Sequence, residues 1–466
     1  MNSEKTERKR QDELQAVTRM IEIYCRGKHG HTGSLCKDCQ ELMNYAHSRI
    51  QNCPFMETKT FCSNCKVHCY SPDMRIKIKE VMKFSVNRQG FLKNLVDVQR
   101  AIPSKTTIPI LTGIKLVASE EGLTLTGSDS EVSIEVFLPI EDEELQLTVQ
   151  EPGSIVLPAR FFGEIVKKLP LNLFSIETND QLQATITAGS ASFTLNGLSA
   201  VDYPQLPEIE KNHVITIPVP LFRQVIVQTA VAVSTAESRP ILTGIHMVIK
   251  DNQLKAVATD SHRLSQRIIP LQMPAGSDAL TFEMTLPGKT LLELSRIIDG
   301  LETIDFAITD NQILFQTETL SFYSRLLEGM YPDTDRLIND GANTSITVVA
   351  SELVAAVERA SLMSHTDKNN IATLTLSPER ILLTGKSPEV GTVEEEIAVE
   401  NFEGAPLEIS FNPDYLKEAL KLFGSSEAVI NFLEANRPFT LKLKEDHSGI
   451  PHSFIQLVTP VRTFNG

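Results

Sequence analysis

The chain has 466 residues, 41% hydrophobic and 22% charged, with a formal net charge of −15. This is too long for one ordinary core and predicts several domains of soluble globular composition. No apolar run approaches the ~18 residues of a membrane span, and the charged start "MNSEKTERKRQDELQ" has no apolar signal segment, so a cytoplasmic protein with no membrane partner is expected.

The averages conceal a partition. All seven cysteines (Cys25, Cys36, Cys39, Cys53, Cys62, Cys65 and Cys69) lie in the first 69 residues. Residues 1–81 hold 14 Lys+Arg against 10 Asp+Glu, a net of +4; the remainder holds 30 against 49, a net of −19. Two modules therefore join near "IKEVMKFSVNRQG". In the head, Cys36-x-x-Cys39 and Cys62-x-x-Cys65 stand 22 residues apart, a spacing that approximates a zinc module and predicts Cys36, Cys39, Cys62 and Cys65 as ligands. A short module gains from a metal what its core lacks. Thiolates also suit an iron–sulfur cluster or a redox dithiol. Cys25, with the "GKHGH" that follows, reads either as extra metal ligands or as a solvated loop, and the loop is the favoured reading.

After the head, "GFLKNLVDVQRAI" predicts a helix. "PILTGI" follows at Pro109–Ile114, then the strand–turn–strand "IKLVASEEGLTLTGSDSEVSIEVFLP". "LPARFFGEIVKKLP" predicts a second helix with Phe161, Phe162, Ile165, Val166 and Leu169 on one face, ended by Pro170. The pattern then repeats: "VPLFRQVIVQTAVAVS" as a helix, "PILTGI" again at Pro240–Ile245, strands in "IHMVIKDNQLKAVATDSHRLSQRIIP", and a helix in "LPGKTLLELSRIID". Tyr203-Pro204 and Tyr331-Pro332 recur 128 positions apart. A third copy without the hexapeptide has the helix "ASELVAAVERASLMS", strands in "IATLTLSPERILLTGKSPEVGTVEEEIAVE", and the helix "NPDYLKEALKLF", with Asn412 as N-cap and Pro413 in the first turn. Three units of about 125 residues result, six helices among many short strands, an α+β fold. The expected domains are 1–81, 82–206, 213–334 and 335–466.

Basic residues recur seven apart on these helices: Lys93/Arg100, Arg160/Lys167 and Lys289/Arg296. That spacing places each pair on one helix face. The pairs read either as solvated helix surfaces or as phosphate-facing patches in a body that otherwise repels DNA. No P-loop, paired-carboxylate metal motif or nucleophile elbow follows Val81, so no enzyme is expected.

From Met82 to about Thr463 the chain resembles the bacterial DNA polymerase III beta subunit, the sliding-clamp family. The resemblance rests on "MKFSVNRQGFLKNL", "IPILTGI", "ATDSHRLS" at Ala258–Ser265, "EGMYPDTDRLI" and "LVTPVRT". It implies three alike domains per chain, and a homodimeric ring of six with helices inside and strands outside. The ring would slide on double-stranded DNA and tether the DNA polymerase III catalytic subunit for processive replication. It would be opened by an ATP-driven clamp-loader complex and would also bind other proteins with clamp-binding motifs. No cofactor is implied for the clamp. The DNA-lining candidates are Lys93, Arg100, Lys105, Lys167, Arg223, Arg239, Arg296, Arg359 and Lys421. The partner-motif pocket would be formed by Leu242, Thr259, His262, Arg263, Leu264, Leu457, Thr459, Pro460, Val461 and Arg462. Leu362 and Met363 are dimer-interface candidates. Asn339 departs from the family's usual proline at one pocket edge.

The head resembles the nitrous oxide-stimulated promoter family over about Thr18 to Met82. The matching stretches are "MIEIYCRGKHG", "LCKDCQELMNYAHSRIQNCPF" and "ETKTFCSNCKVHCYSPDMR". A rival function follows from it: a nitrosative-stress or redox-sensing metal protein with a clamp as its scaffold.

Overall fold

Both copies of the hexapeptide fold alike. Pro109–Thr112 and Pro240–Thr243 are 3₁₀ turns with proline at the first position, where its missing N–H leaves no bond unmade. The threonine closes each turn: Thr112 Oγ1 donates to the Pro109 carbonyl at 2.8 Å, and Thr243 Oγ1 to that of Pro240 at 2.7 Å. The glycine then opens a strand, Gly113 opposite Pro158 and Gly244 opposite Pro287. A Cβ on Gly113 would lie 2.5 Å from Val156 Cγ1 and 3.0 Å from the Leu157 carbonyl oxygen; on Gly244 it would lie 2.7 Å from Leu327 Cδ1 and 2.8 Å from the Leu286 carbonyl oxygen. Only a residue without Cβ admits so close a neighbouring strand.

The computed structural model describes residues 35–53, 82–207, 209, 214–271, 281–309, 311–338, 341–364, 370–446, 448–450 and 453–462, with parts of 10–26. It divides into two compact units, 1–129 with 135–205, and 130–134 with 206–466. In the head, the described residues between 10 and 26 are helical. They face helix α1 (Lys37–Gln51) in antiparallel order. Leu14 and Val17 pack on Ile50 and Cys53, Thr18 hydrogen-bonds His47 at 2.7 Å, and Ile21 and Cys25 pack with Cys39, Leu42 and Met43.

The first repeat runs β1 (Lys83–Asn87), α2 (Arg88–Gln99), β2 (Gly113–Ala118), β3 (Gly122–Ser128), β4 (Val132–Pro139), β5 (Thr148–Glu151), β6 (Gly153–Pro158), α3 (Ala159–Lys168), β7 (Leu173–Thr178), β8 (Gln183–Ala188) and β9 (Ala191–Asn196). One sheet has the order β5-β1-β7-β8-β9, and another places β3, β2 and β6 side by side. The two helices pack together through Phe91 of α2, whose ring stands 5.9 Å from Phe162 of α3 and 5.3 Å from Phe174 of β7, both edge-on. Phe161 departs from the expected face. It is 65% exposed while Phe162 is fully buried. Neighbouring helical positions diverge by about 100°, so the buried face is Ala159, Phe162, Gly163 and Val166.

The second unit holds the other two repeats. The middle one runs β10 (Ile215–Pro218), α4 (Val219–Ala230), β11 (Gly244–Lys250), β12 (Gln253–Thr259), β13 (Arg263–Pro270), β14 (Phe282–Pro287), α5 (Gly288–Ile297), β15 (Thr303–Ile308), β16 (Gln312–Gln316) and β17 (Leu320–Arg325). The last runs β18 (Thr344–Val349), α6 (Ala350–Ser364), β19 (Ala372–Leu376), β20 (Ile381–Ser387), β21 (Gly391–Glu396), β22 (Asn401–Gly404), β23 (Leu407–Phe411), α7 (Pro413–Lys421), β24 (Glu427–Phe432), β25 (Phe439–Leu443) and β26 (Phe454–Val458). Asn412 caps α7 as expected, its side chain accepting from the Asp414 N–H at 2.9 Å. Pairing of β13 with β26 fuses the two repeats into one nine-stranded sheet, β14-β11-β12-β13-β26-β25-β24-β18-β22. A four-stranded sheet, β21-β20-β19-β23, completes the last repeat. Among the described residues no helix is long and apolar enough to cross a membrane.

Gly113→Ala or Gly244→Ala is expected to lower stability by about 1–3 kcal/mol, because an added methyl group meets backbone that cannot yield. Urea denaturation checks this.

Candidate functional site

The β13–β26 seam assembles most of the expected pocket residues. Antiparallel register sets Arg263 opposite Val458 and Leu264 opposite Leu457. Leu264 and Leu457 form a buried cluster with Val257, and Tyr331 and Ile338 pack against it. Beside this cluster the β12–β13 turn is held by Asp260, a carboxylate folding back on its own turn. Its Oδ1 accepts from the His262 and Arg263 N–H groups at 2.9 and 3.0 Å, and its Oδ2 accepts from Arg263 Nε at 3.0 Å. The chain leaving β26 is tied to the same turn: Thr459 donates to the His262 carbonyl through N–H (2.9 Å) and Oγ1 (2.7 Å). Pro460 then bridges to Phe411, and the Val461 N–H donates to the Ser410 carbonyl at 2.7 Å.

Helix α7 supplies a wall that sequence reasoning missed. The Arg263 guanidinium lies 4.7 Å over the Tyr415 ring and pairs with Glu418, and His262 stacks on Tyr415 at 6.1 Å. Burial and the nearby Asp260 carboxylate raise the Tyr415 phenol above its ordinary range. Tyr331 is a further missed member. Its oxygen accepts from the Thr259 N–H at 3.0 Å, its ring stacks on His246 at 4.7 Å, and burial pushes its phenol up to about 12. The "DSHR" run carried a turn signal in Asp260; Tyr415 and Glu418 carried none, because an amphipathic helix offers many such residues. Of the remaining expected members, Leu242 is buried in its 3₁₀ turn and Arg462 is exposed. Asn339 lies outside the described residues.

The nine expected DNA-lining residues are at least partly exposed. Lys93, Lys167, Arg223, Arg296, Arg359 and Lys421 lie one to each of α2 to α7, and Arg100 caps α2. Five have carboxylate partners: Arg100–Asp97 (3.5 Å), Arg223–Asp299, Arg296–Glu293, Arg359–Glu395 and Lys421–Glu358 (2.7 Å). Lys93, Lys105 and Lys167 hold no ion pair among the described residues. Arg239 instead reaches the β12–β13 turn, donating to Ser261 Oγ at 3.0 Å. Leu362 is 68% exposed near the end of α6, and Met363 beside it is half-buried.

In the head, the expected ligands Cys36 and Cys39 come together, but with Cys25. That residue is helical and 1% exposed, not part of a solvated loop. The three ligand sulfurs lie within 4.8 Å of one another. Burial, followed by hydrogen bonding to Cys36 and Cys25, raises the Cys39 thiol to about 12 when no metal is bound. Cys62 and Cys65 lie outside the described residues.

Comparison with known proteins decides the family. Residues 82–207, 216–333 and 335–455 match the models for the N-terminal, central and C-terminal domains of the DNA polymerase III beta subunit. The beta sliding clamp of Bacillus subtilis is 45% identical over 386 residues, 82% of this chain and all of that protein. The chain belongs to the DNA polymerase III beta subunit family of sliding clamps. The beta sliding clamp of Halalkalibacterium halodurans is 44% identical, again covering 82% of this chain and all of that protein. Crystal structures of the Bacillus subtilis clamp and the Streptococcus pneumoniae beta chain, 44% and 41% identical, each superpose over 82% of this chain and 100% of theirs with TM-scores of 0.78. A sliding clamp is a processivity factor without catalytic activity of its own. These relatives favour the clamp over a sensor that uses a clamp only as scaffold. Residues 8–111 match the nitrous oxide-stimulated promoter model. That match runs past the expected end near Met82 into residues that form β1 and α2 of the clamp.

Tyr331→Phe leaves the Thr259 N–H without its acceptor, in a residue only 7% exposed. A loss of about 1–3 kcal/mol in thermal or urea unfolding is expected.

Proposed function

We propose that two copies close head to tail into a ring around double-stranded DNA in the cytoplasm. The ring would slide freely and tether the DNA polymerase III catalytic subunit and other proteins carrying clamp-binding motifs, after an ATP-driven loader has opened it. The observation that carries this is one exposed or half-exposed cation on each of the six clamp helices, in a body whose net charge after residue 81 is −19. Phosphates would be held by scattered cations that read no bases, while the acidic remainder repels DNA. The domains would be 82–206, 213–334 and 335–466, after a head of 1–81 stabilised by zinc or an iron–sulfur cluster.

Ring closure is supported by two open sheet edges of complementary chemistry. Edge strand β9 is largely exposed and carries Phe193, and helix α3 of the same repeat presents exposed Phe161 with Arg160, Lys167 and Lys168. Edge strand β21 carries Glu394, Glu395 and Glu396, with exposed Leu362 on the α6 helix that packs against it. Unpaired edges seek strands. The pocket at the β13–β26 seam would take the apolar anchors of partner motifs on Leu264 and Leu457, with His262 and Arg263 setting their orientation.

Two measurements test this reading. By analytical ultracentrifugation the full chain should be a dimer, and Leu362→Asp should raise its dissociation constant about 100-fold without unfolding an exposed site. A monomeric wild-type chain contradicts the ring. For DNA retention, Lys93→Ala, Lys105→Ala and Lys167→Ala should each reduce the logarithmic salt slope by ~0.9 for every phosphate left without its cation. Arg359→Ala should reduce it less, because its guanidinium is already bound to Glu395.

A further inference from the structure

We propose that Cys25, Cys36 and Cys39 are three thiolate ligands of a single zinc ion, which clips together the two helices of the head. This rests on the reading of the head as metal-stabilised and deepens it: it replaces the paired-CxxC ligand set with a triad that includes Cys25, and it selects one ion over a cluster.

The three sulfurs already lie within 4.8 Å of one another. Ligands of one tetrahedral zinc stand about 3.8 Å apart, given a Zn–S bond of ~2.3 Å, so a contraction of at most about 1 Å by side-chain rotation completes the triad. An iron–sulfur cluster spreads three thiolates over at least two irons and needs them wider apart than this. Hydrogen bonds also reach the sulfurs. The Cys36 N–H donates to Cys25 Sγ at 3.2 Å, and the Cys39 N–H to Cys36 Sγ at 3.4 Å. Such donors stabilise charge on a ligating sulfur. Cys36 is also the N-cap of α1, a helix of 15 residues, whose positive end favours a thiolate there.

Cys25 and Cys39 are 1% and 2% exposed, whereas Cys36 is only partly covered. The site is therefore closed on the hydrophobic side and open on the Cys36 side, where zinc's fourth position would take water or another donor. Among the described residues the core beside it is small: Ile21, Leu42, Met43 and Ala46. So few apolar side chains hold a helical pair weakly, and an ion joining residue 25 to residues 36 and 39 supplies the missing constraint. Cys53 packs with Ile50 at the far end of α1 and serves as an internal control.

The test uses the full-length chain loaded with Zn²⁺ alone, and with Co²⁺ as a spectroscopic substitute. Wild type should bind one ion per chain. Cys25→Ser and Cys39→Ser should each weaken zinc binding at least ~100-fold and remove about a third of the thiolate-to-cobalt charge-transfer band, while Cys53→Ser changes neither. Alkylation of the unmodified chain avoids reliance on variants that do not fold: zinc should slow modification of Cys25, Cys36 and Cys39 together, and a chelator should restore it. If Cys25→Ser keeps wild-type affinity and Cys25 alkylation is indifferent to zinc, the triad is wrong although the head still binds metal. Iron with acid-labile sulfide in the purified chain overturns the single-ion assignment alone. A wild-type chain that binds neither zinc nor iron overturns both the triad and the metal reading of the head.

Discussion

The second unit depends on one strand pairing, that of β13 with β26. It joins the middle and last repeats into a continuous nine-stranded sheet. Without it the two repeats would present open edges to solvent, and exposed edges invite wrong partners. The same pairing sets the register that brings Leu264 beside Leu457 and delivers Thr459 to the His262 carbonyl. Two segments almost 200 positions apart thus become neighbours through backbone bonds, and the side chains that give the seam its chemistry follow from that register. Arg263 adds a second tie, since its guanidinium reaches Asp260, Tyr415 and Glu418 at once.

Electrostatics gives the clamp its second constraint. A uniformly basic inner surface would hold DNA too firmly to slide, and a uniformly acidic one would exclude it. Here several helix cations are offset by neighbouring carboxylates. The Glu358 carboxyl is held below its usual range by Lys421, and that of Glu395 by Arg359. Exposed pairs of this kind contribute little to stability and exchange partners easily. In the proposed ring a phosphate arriving at such a site would trade places with a carboxylate, which would keep each contact weak.

Much of this organisation was legible in the residues. The two copies of "PILTGI" marked equivalent turns because each combines a proline, a closing threonine hydroxyl and a glycine pressed against the next strand. All six clamp helices were visible from periodicity, and Asn412 from its capping chemistry. Other features depended on tertiary context. Phe161 and Phe162 are equally apolar, and only the packing of α3 decides that one faces the core. Cys25 looked like loop chemistry because "GKHGH" follows it, yet a helix carries its sulfur to α1. Tyr415 and Glu418 became site residues only because α7 lies against the β12–β13 turn, an arrangement no local pattern encodes.

The account finally rests on linkage: a ring threaded by duplex stays on because it is closed. The most direct measurement compares retention of the loaded protein on nicked circular DNA with retention on the same DNA made linear, its ends free, in moderate salt. The account predicts long residence on the circle and rapid loss from the linear form through its ends. Equal residence on both would mean that the protein grips DNA locally, and the ring would have to be abandoned.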